Sequence, residues 1–362
     1  MNKVAVLIVD DSPSMRLLLA HILGRDARIE VIGTVDDGEA AMEFVEAANP
    51  RPDVVLMDIH MPKLDGFEAT RRIMETHPLP IVICTATADP QELQVAFRSM
   101  EAGAVACVEK PVGPADPEFP SRCTNLCQTI CLMSEVKVVR RWAKPRLAGA
   151  RPAATPPVPL ASRGALPRIV GIGASTGGPP VLQTILSGLP RDFGAPILIV
   201  QHIARGFLPG MVEWLSQTTG LHVHIAAHGA LPVAGHAYIA PDDFHLGITS
   251  GGRLSLAREP AENGLRPSVS WLFRSLATNL GPRAIGVLLT GMGKDGALEL
   301  LAMRQTGALT IAQDRETSVV HGMPGEAIAL GGATQVLPTD RIAGALITEM
   351  FRKLPNAGGA ES

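Results

Sequence analysis

Over the first 112 residues, short apolar runs at Val4–Val9, Ile29–Val35, Val54–Met57, Ile81–Cys84 and Ala104–Val108 alternate with amphipathic stretches. The runs are continuous rather than alternating, as expected of parallel strands covered on both faces. Between them, Ser14–Leu23, Glu39–Ala47, Phe67–Thr76 and Pro90–Glu101 carry helical spacing. Five such βα units predict a small doubly wound, flavodoxin-like α/β domain with a five-stranded parallel sheet. Its ligand site would lie at the carboxyl ends of the strands. Residues 121–142 predict a long final helix leading outward. The βα rhythm resumes at Arg168, with strands at Ile169–Ile172, Pro196–Val200, Ala284–Leu289 and Ala308–Ala312. Short strands near 222–226, 236–240, 244–249 and 253–257 predict a hairpin-like insert with Gly and Pro turns. The second half is therefore expected to be a doubly wound, mostly parallel α/β domain with an antiparallel edge.

Between the two patterns, prolines 145, 152, 156, 157, 159 and 167 interrupt any helix, and no acidic residue occurs between Glu135 and Asp192. This predicts a semi-extended basic linker. The expected organisation is a first domain at 1–120, a helix and Pro-rich linker at 121–167, and a second domain at 168–355. A length of 362 residues suits two domains and their connections. A net charge of −3 and an aromatic content of 4% argue against a nucleic-acid partner. With no apolar run of about 18 residues and no signal-peptide cleavage pattern, no membrane insertion is expected and the chain reads as cytoplasmic. Five cysteines without an export signal argue against a disulfide framework. Cys123, Cys127 and Cys131 recur every four residues and predict one packed helix face rather than a metal site.

Polar residues gather where the first domain's strands end. Asp10, Asp11 and Ser12 follow the first strand, Asp58 the third, Thr85 the fourth and Lys110 the fifth. Clustered carboxylates repel unless a cation sits among them, and hard oxygen ligands favour Mg²⁺ over zinc. One carboxylate could then attack a phosphoryl group to give an acyl phosphate, with Thr85 and Lys110 binding its oxygens. The segments VDDSPSMR, LMDIHMPKLDGFEATRRI, TAT and EKP resemble the response-regulator receiver domain of two-component signalling over nearly all of residues 1–112. The resemblance implies phosphorylation of Asp58 by a histidine kinase as phosphodonor, with Mg²⁺ held by Asp10, Asp11 and Asp58. It also implies phosphoryl sensing through Thr85 and Lys110. Cys107 occupies the place where the family often carries an aromatic switch residue.

In the second domain, the first strand runs into Gly173-Ala174-Ser175-Thr176-Gly177-Gly178 and then an apolar helix. This fits G-x-S-x-G, in which a Ser on a strand-to-helix turn lies near backbone donors and the positive helix end. A phosphate-binding or N-capping loop fits the same residues. A nucleophilic Ser needs a base and an orienting acid. His202 leaves a buried strand at the same sheet edge, and Asp295 lies in another strand-to-helix loop. The order Ser175, His202, Asp295 competes with Ser175, Asp295, His321. Gly291-x-Gly293-x-x-Gly296, with Asp314 beyond the next strand, also fits a dinucleotide turn.

IVGIGASTGGPPVL, IVQHIARGFLPGMVEWL, RPSVSWLFRSLA, VLLTGMGKDGA and AQDRETSVVHGMPGEAIALGGA are similar to the catalytic domain of the chemotaxis protein-glutamate methylesterases. That resemblance implies a catalytic triad of Ser175, His202 and Asp295, with Thr176 and Met292 beside the substrate or its oxyanion, and no cofactor at the hydrolase site. It implies hydrolysis of glutamate 5-methyl esters on the cytoplasmic domain of a methyl-accepting chemoreceptor, deamidation of receptor glutamines, and a receiver that covers the catalytic mouth until phosphorylated. The family's H-R-P-S-V-D appears here as Leu265-Arg266-Pro267-Ser268-Val269-Ser270, a departure expected to touch substrate-side contacts.

Overall fold

The computed structural model describes residues 3–85, 90–113, 115–136, 138 and 168–351. They divide into two compact units, one within residues 1–165 and the other within 166–362. The linker expected over 143–167 lies outside the described residues.

In the first unit the apolar runs become β1 (Val4–Val9), β2 (Ile29–Val35), β3 (Val54–Met57), β4 (Ile81–Thr85) and β5 (Ala106–Glu109). They pair in parallel in the order β2-β1-β3-β4-β5. The helices are α1 (Pro13–Gly24), α2 (Gly38–Ala47), α3 (Gly66–Thr76), α4 (Pro90–Ala102) and α5 (Phe119–Ser134). Polar residues just after the strands start them. Ser12, Asp37 and Asp65 accept from the backbone N–H of Met15, Ala40 and Glu68, each satisfying a donor the helix cannot use internally. α5 departs from expectation: it ends at Ser134, short of 142, and packs back on the sheet through Leu126, Cys127, Ile130 and Met133. Its cysteine stripe follows from that packing. Cys127 is buried, Cys123 and Cys131 are half-buried, and all are free thiols.

The second unit contains β6 (Ile169–Ala174), α6 (Gly178–Ser187), β7 (Ile197–Gln201), α7 (Leu208–Thr219), β8 (His222–Ile225) and β9 (His236–Ile239). Then come β10 (His245–Ile248), β11 (Leu254–Ala257), α8 (Val269–Leu280), β12 (Ala284–Leu288) and α9 (Ala297–Gln305). β13 (Leu309–Gln313), α10 (Met323–Ala329), β14 (Gln335–Leu337) and α11 (Thr339–Phe351) complete it. The main sheet runs β14-β13-β12-β6-β7-β9-β8 and is parallel throughout. The expected hairpin-like insert is therefore split. β8 and β9 extend the main sheet in parallel, and only β10 and β11 form a separate antiparallel ribbon. The link from β8 to β9 reaches over by hanging on that ribbon: Gly229 N–H donates to Leu254 C=O, and Leu254 N–H to Ala230 C=O.

β6 lies at the middle of this sheet. From it the chain first winds toward β7, β9 and β8, and later returns on the other side through β12, β13 and β14. Such a reversal opens a crevice at the carboxyl ends of the central strands. The core beneath it includes Ile169, Leu198, Val269, Phe273 and Leu288, all fully buried. No helix among the described residues is long and apolar enough to cross a membrane.

Candidate functional site

The first unit's strand ends converge as their topology requires. Carboxylate oxygens of Asp10, Asp11 and Asp58 lie within 4.8 Å of one another; Asp10 and Asp58 are buried and Asp11 is exposed. Lys110 reaches in from the end of β5, its Nζ 2.9 Å from Asp10 Oδ2 and 2.8 Å from Asp58 Oδ1. Burial raises the Asp58 pKa, although Lys110 and the N–H of Ile59 favour its charged form. For Lys110, burial opposes the charge, but the ion pairs with Asp58 and Asp10 outweigh it and the pKa is raised. Thr85 is buried at the end of β4, and its carbonyl accepts from Lys110 N–H at 2.9 Å. Asp10, Asp11, Asp58 and Lys110 thus meet at one sheet edge, with Thr85 at the neighbouring strand end. Two inner carboxylates and an outer one facing solvent form an all-oxygen set that could hold a hard divalent cation with room for water. Cys107, on β5, is half-buried with its thiol pKa pushed up by burial, so it supplies no aromatic ring at this edge.

In the second unit, Ser175, His202 and Asp295 follow β6, β7 and β12, three adjacent strands. Ser175 N–H donates to Thr290 C=O at 3.0 Å, and His202 N–H donates to Ala174 C=O at 2.9 Å, so the three loops are stitched together by backbone. Asp295 is buried, and both its oxygens are engaged. Oδ1 accepts from Ser268 Oγ at 2.8 Å and Ser270 N–H at 3.0 Å, while Oδ2 accepts from Val269 N–H at 2.7 Å. His202 Nε2 lies 3.0 Å from Oδ2, a close electrostatic contact off the axis of a hydrogen bond. Burial alone would raise this carboxyl's pKa. His202 beside it, with donors from Ser270 and Val269, instead holds it well below the usual carboxylate range.

The segment Leu265–Ser270 divides: Leu265, Arg266 and Pro267 line a cavity beside His202, while the two serines turn inward. Ser268 and Ser270 do not face outward toward a substrate; they are buried and grip Asp295 at the start of α8, and Ser270 Oγ accepts from Gly296 N–H at 2.9 Å. A carboxylate at a helix N-terminus satisfies otherwise orphaned donors and favours the negative charge. The bonds come mainly from backbone N–H groups, so residue types alone did not announce them.

The Ser175 turn is held from below by residues that periodicity also left unread. Gln201 Nε2 donates to the carbonyls of Ser175 and His202, both at 2.8 Å. Thr290 donates to Thr176 C=O and accepts from Val320 N–H, while its own N–H is taken by Gln313 Oε1 at 2.8 Å. Gln201 and Gln313 each close an apolar strand run at a buried position, which is the signal that could have marked them. Gly177 sits at φ +76°, so the left-handed turn falls on a glycine and not on the serine. The N–H groups of Thr176 and Met292 have no acceptor among the described residues. Met292 is exposed beside the loop that carries Asp295.

Two rival readings of these loops lose ground in the geometry. His321 is joined to Gly291 through backbone pairing, but its ring contacts Ser318 Oγ at 3.3 Å and stacks over Gly325, while Asp295 is spent on His202 and α8. Around Gly291, a side chain would meet Ser175 Cβ and Met323 Sδ, and around Gly296 it would meet Val269, so these two glycines serve internal packing, whereas Gly293 at φ +83° faces open space. Asp314, the other half of the dinucleotide pattern, accepts from Thr317 N–H and Oγ in its own turn.

A doubly wound unit with a carboxylate–lysine pocket, joined to one with Ser, His and Asp at its switch point, defines the class: a response regulator with a hydrolase-type output. Known proteins agree. Residues 6–117 match the family model for the response regulator receiver domain, and residues 170–346 match that for CheB methylesterase. The chain is 54% identical to a Geobacter metallireducens protein named protein-glutamate methylesterase/protein-glutamine glutaminase 4, over 97% of this chain and all of that one. It is 51% identical to a Nitrosospira multiformis protein named protein-glutamate methylesterase/protein-glutamine glutaminase, over 94% of this chain and 95% of that one. The crystal structure of the Thermotoga maritima CheB methylesterase catalytic domain is similar over 51% of this chain and all of its own length, at 40% identity and a TM-score of 0.50. This chain belongs to the CheB family of protein-glutamate methylesterase/protein-glutamine glutaminases.

Proposed function

We propose that the chain hydrolyses glutamate 5-methyl esters on the cytoplasmic domain of a methyl-accepting chemoreceptor, under control of phosphorylation at Asp58. The observation that carries the reading is the close pairing of buried Asp295 with His202 on the strand next to Ser175. Ser175 Oγ attacks the ester carbonyl while His202 takes its proton through the ring nitrogen turned away from Asp295. The tetrahedral intermediate expels methanol, protonated by His202, and water then hydrolyses the acyl-enzyme to a glutamate carboxylate. Asp295 orients the imidazole and stabilises its charged form. The free N–H groups of Thr176 and Met292 serve the oxyanion, a role worth about 3–4 kcal/mol per donor. The same chemistry with ammonia as leaving group deamidates glutamine.

In the first unit, residues 1–120 act as the receiver and Asp58 attacks the phosphoryl group of a histidine kinase. Asp10, Asp11 and Asp58 would hold Mg²⁺, which when bound offsets the charge of the phosphoryl oxygens. Lys110 and Thr85 bind those oxygens once Asp58 is modified. The protein works in the cytoplasm, with α5 completing the first unit and the Pro-rich segment up to 167 joining it to a catalytic domain at 168–355.

The test is methanol release from methylated receptor fragments by wild type, Ser175→Ala and His202→Ala. Both substitutions are expected to reduce release by at least a thousandfold. Release that survives His202→Ala but not Ser175→Ala would move the base, with His321 next in line. No release from wild type would leave a phospho-switch that only docks.

A further inference from the structure

The far edge of the second sheet carries a histidine cluster that the hydrolytic site does not use. β8 and β9 run in parallel with His222 opposite His236 and His224 opposite Tyr238. Residues two apart on a strand share a face, so three imidazoles stand together on one side of the edge. His222 and His236 stack with centroids 4.8 Å apart, and His224 and His236 at 5.1 Å. Beneath them Tyr238 is buried and fixed, its hydroxyl accepting from Val233 N–H at 3.1 Å. His222 and His224 are exposed and His236 half-buried, so the cluster is open to solvent.

We propose that this edge is a binding site for a late divalent transition metal, Cu²⁺ or Ni²⁺, chelated by His224 and His236 with His222 as a third donor. The spacing of two facing ring nitrogens carries it. His224 Nε2 and His236 Nδ1 face each other at 2.9 Å, a distance at which one ring nitrogen donates to the other. Metal–imidazole bonds of about 2.0–2.1 Å to nitrogens at that spacing subtend an angle of roughly 90°. That is the cis angle of a tetragonal site, which imidazole donors supply to Cu²⁺ or Ni²⁺, whereas tetrahedral Zn²⁺ would require the rings to part. The metal takes the place of the shared proton, which moves to the far nitrogen of its own ring, so that each ring binds through a lone pair and no net proton is released. His222 lies across from His236 on the edge strand, its ring stacked on that of His236, and it reaches the same point only by turning its ring. A metal here would add a cross-strand tie between the outermost strand and its neighbour at the sheet edge.

The experiment uses the full chain, freed of metal with a chelator, and Cu²⁺ or Ni²⁺ salts as probes. Calorimetry with each ion gives stoichiometry and affinity, and electron paramagnetic resonance at substoichiometric Cu²⁺ gives the donor atoms. One strong site with at least two nitrogen ligands is expected. The pair His224→Gln with His236→Gln should weaken binding by at least a hundredfold, and His222→Gln alone by roughly tenfold. These side chains are outside the core, so the metal-free variants should melt as wild type does and keep its methanol release. Unchanged affinity and nitrogen coupling in the double variant would overturn the proposal. So would an oxygen-only Cu²⁺ signal in wild type, which would place the ion at the carboxylates of the first unit.

Discussion

Asp295 serves four neighbours with two oxygens: Ser268, Val269 and Ser270 at the start of α8, and His202. A hydrogen bond to a charged group contributes about 1.5–3 kcal/mol, so removing one should be felt without dismantling the site. Ser268→Ala is expected to lower kcat for methanol release about tenfold and leave KM nearly unchanged, because the lost bond orients the acid rather than touching substrate. Ser268→Thr should restore most of it. A change confined to melting temperature would show that Ser268 serves the fold alone. The same carboxylate makes a pH prediction. Its native pKa lies below the unfolded value of about 3.9, so its stabilising contribution is complete above that value. It is withdrawn as the pH falls through the native pKa. Asp295→Asn should therefore narrow the gap between thermal stability at pH 6 and at pH 3, as read by calorimetry of the chain.

At the scale of elements, the turn from β6 to α6 shows what sequence carries and what it withholds. The strand exits holding Ser175, His202 and Asp295 were readable because apolar runs ended at polar, chemically able residues. The pairing of strands was not. β8 and β9 had the length and spacing of a hairpin, and their partners were decided by the room beside β7 and by the hold of β11 on the connecting loop. Nor could residue types show that Ser268–Ser270 would grip Asp295, since backbone donors at a helix start look alike in any sequence. Gly177 tests the turn itself. Its φ is positive and an added Cβ would press on Val319. Gly177→Ala should cost about 1–2 kcal/mol from backbone strain alone. For a unit of this size that lowers the melting temperature by roughly 2–8 °C. Because the strain lands two residues from Ser175, methanol release at 25 °C should fall more than the folded fraction does. A loss matched to the folded fraction would mean the turn does not position the nucleophile.

For the whole molecule the question is how a phosphoryl group on one unit would govern chemistry on the other, as proposed. Each unit has its own sheet and core, so control need not pass through a shared interior. Phosphorylation adds about −1.5 to −2 charge at Asp58, beside a lysine now engaged with two carboxylates. Lys110 must divide itself anew between Asp10 and the phosphoryl oxygens, and Thr85 lies at the neighbouring strand end to follow. If the receiver restrains the catalytic domain until phosphorylated, as the family resemblance implies, that rearrangement lifts the restraint. A tenfold rise in activity needs only about 1.4 kcal/mol of difference between the two phosphorylation states, the scale of one charge-assisted contact. Three measurements of methanol release separate this from direct activation. A small-molecule phosphodonor should raise the rate of wild type about tenfold and leave Asp58→Asn unmoved. A fragment of residues 168–362 should work at or above the rate of the intact unphosphorylated chain, with no response to the donor. A fragment slower than that chain would mean the receiver assists catalysis, and phosphorylation would then act by building the active form rather than by releasing it.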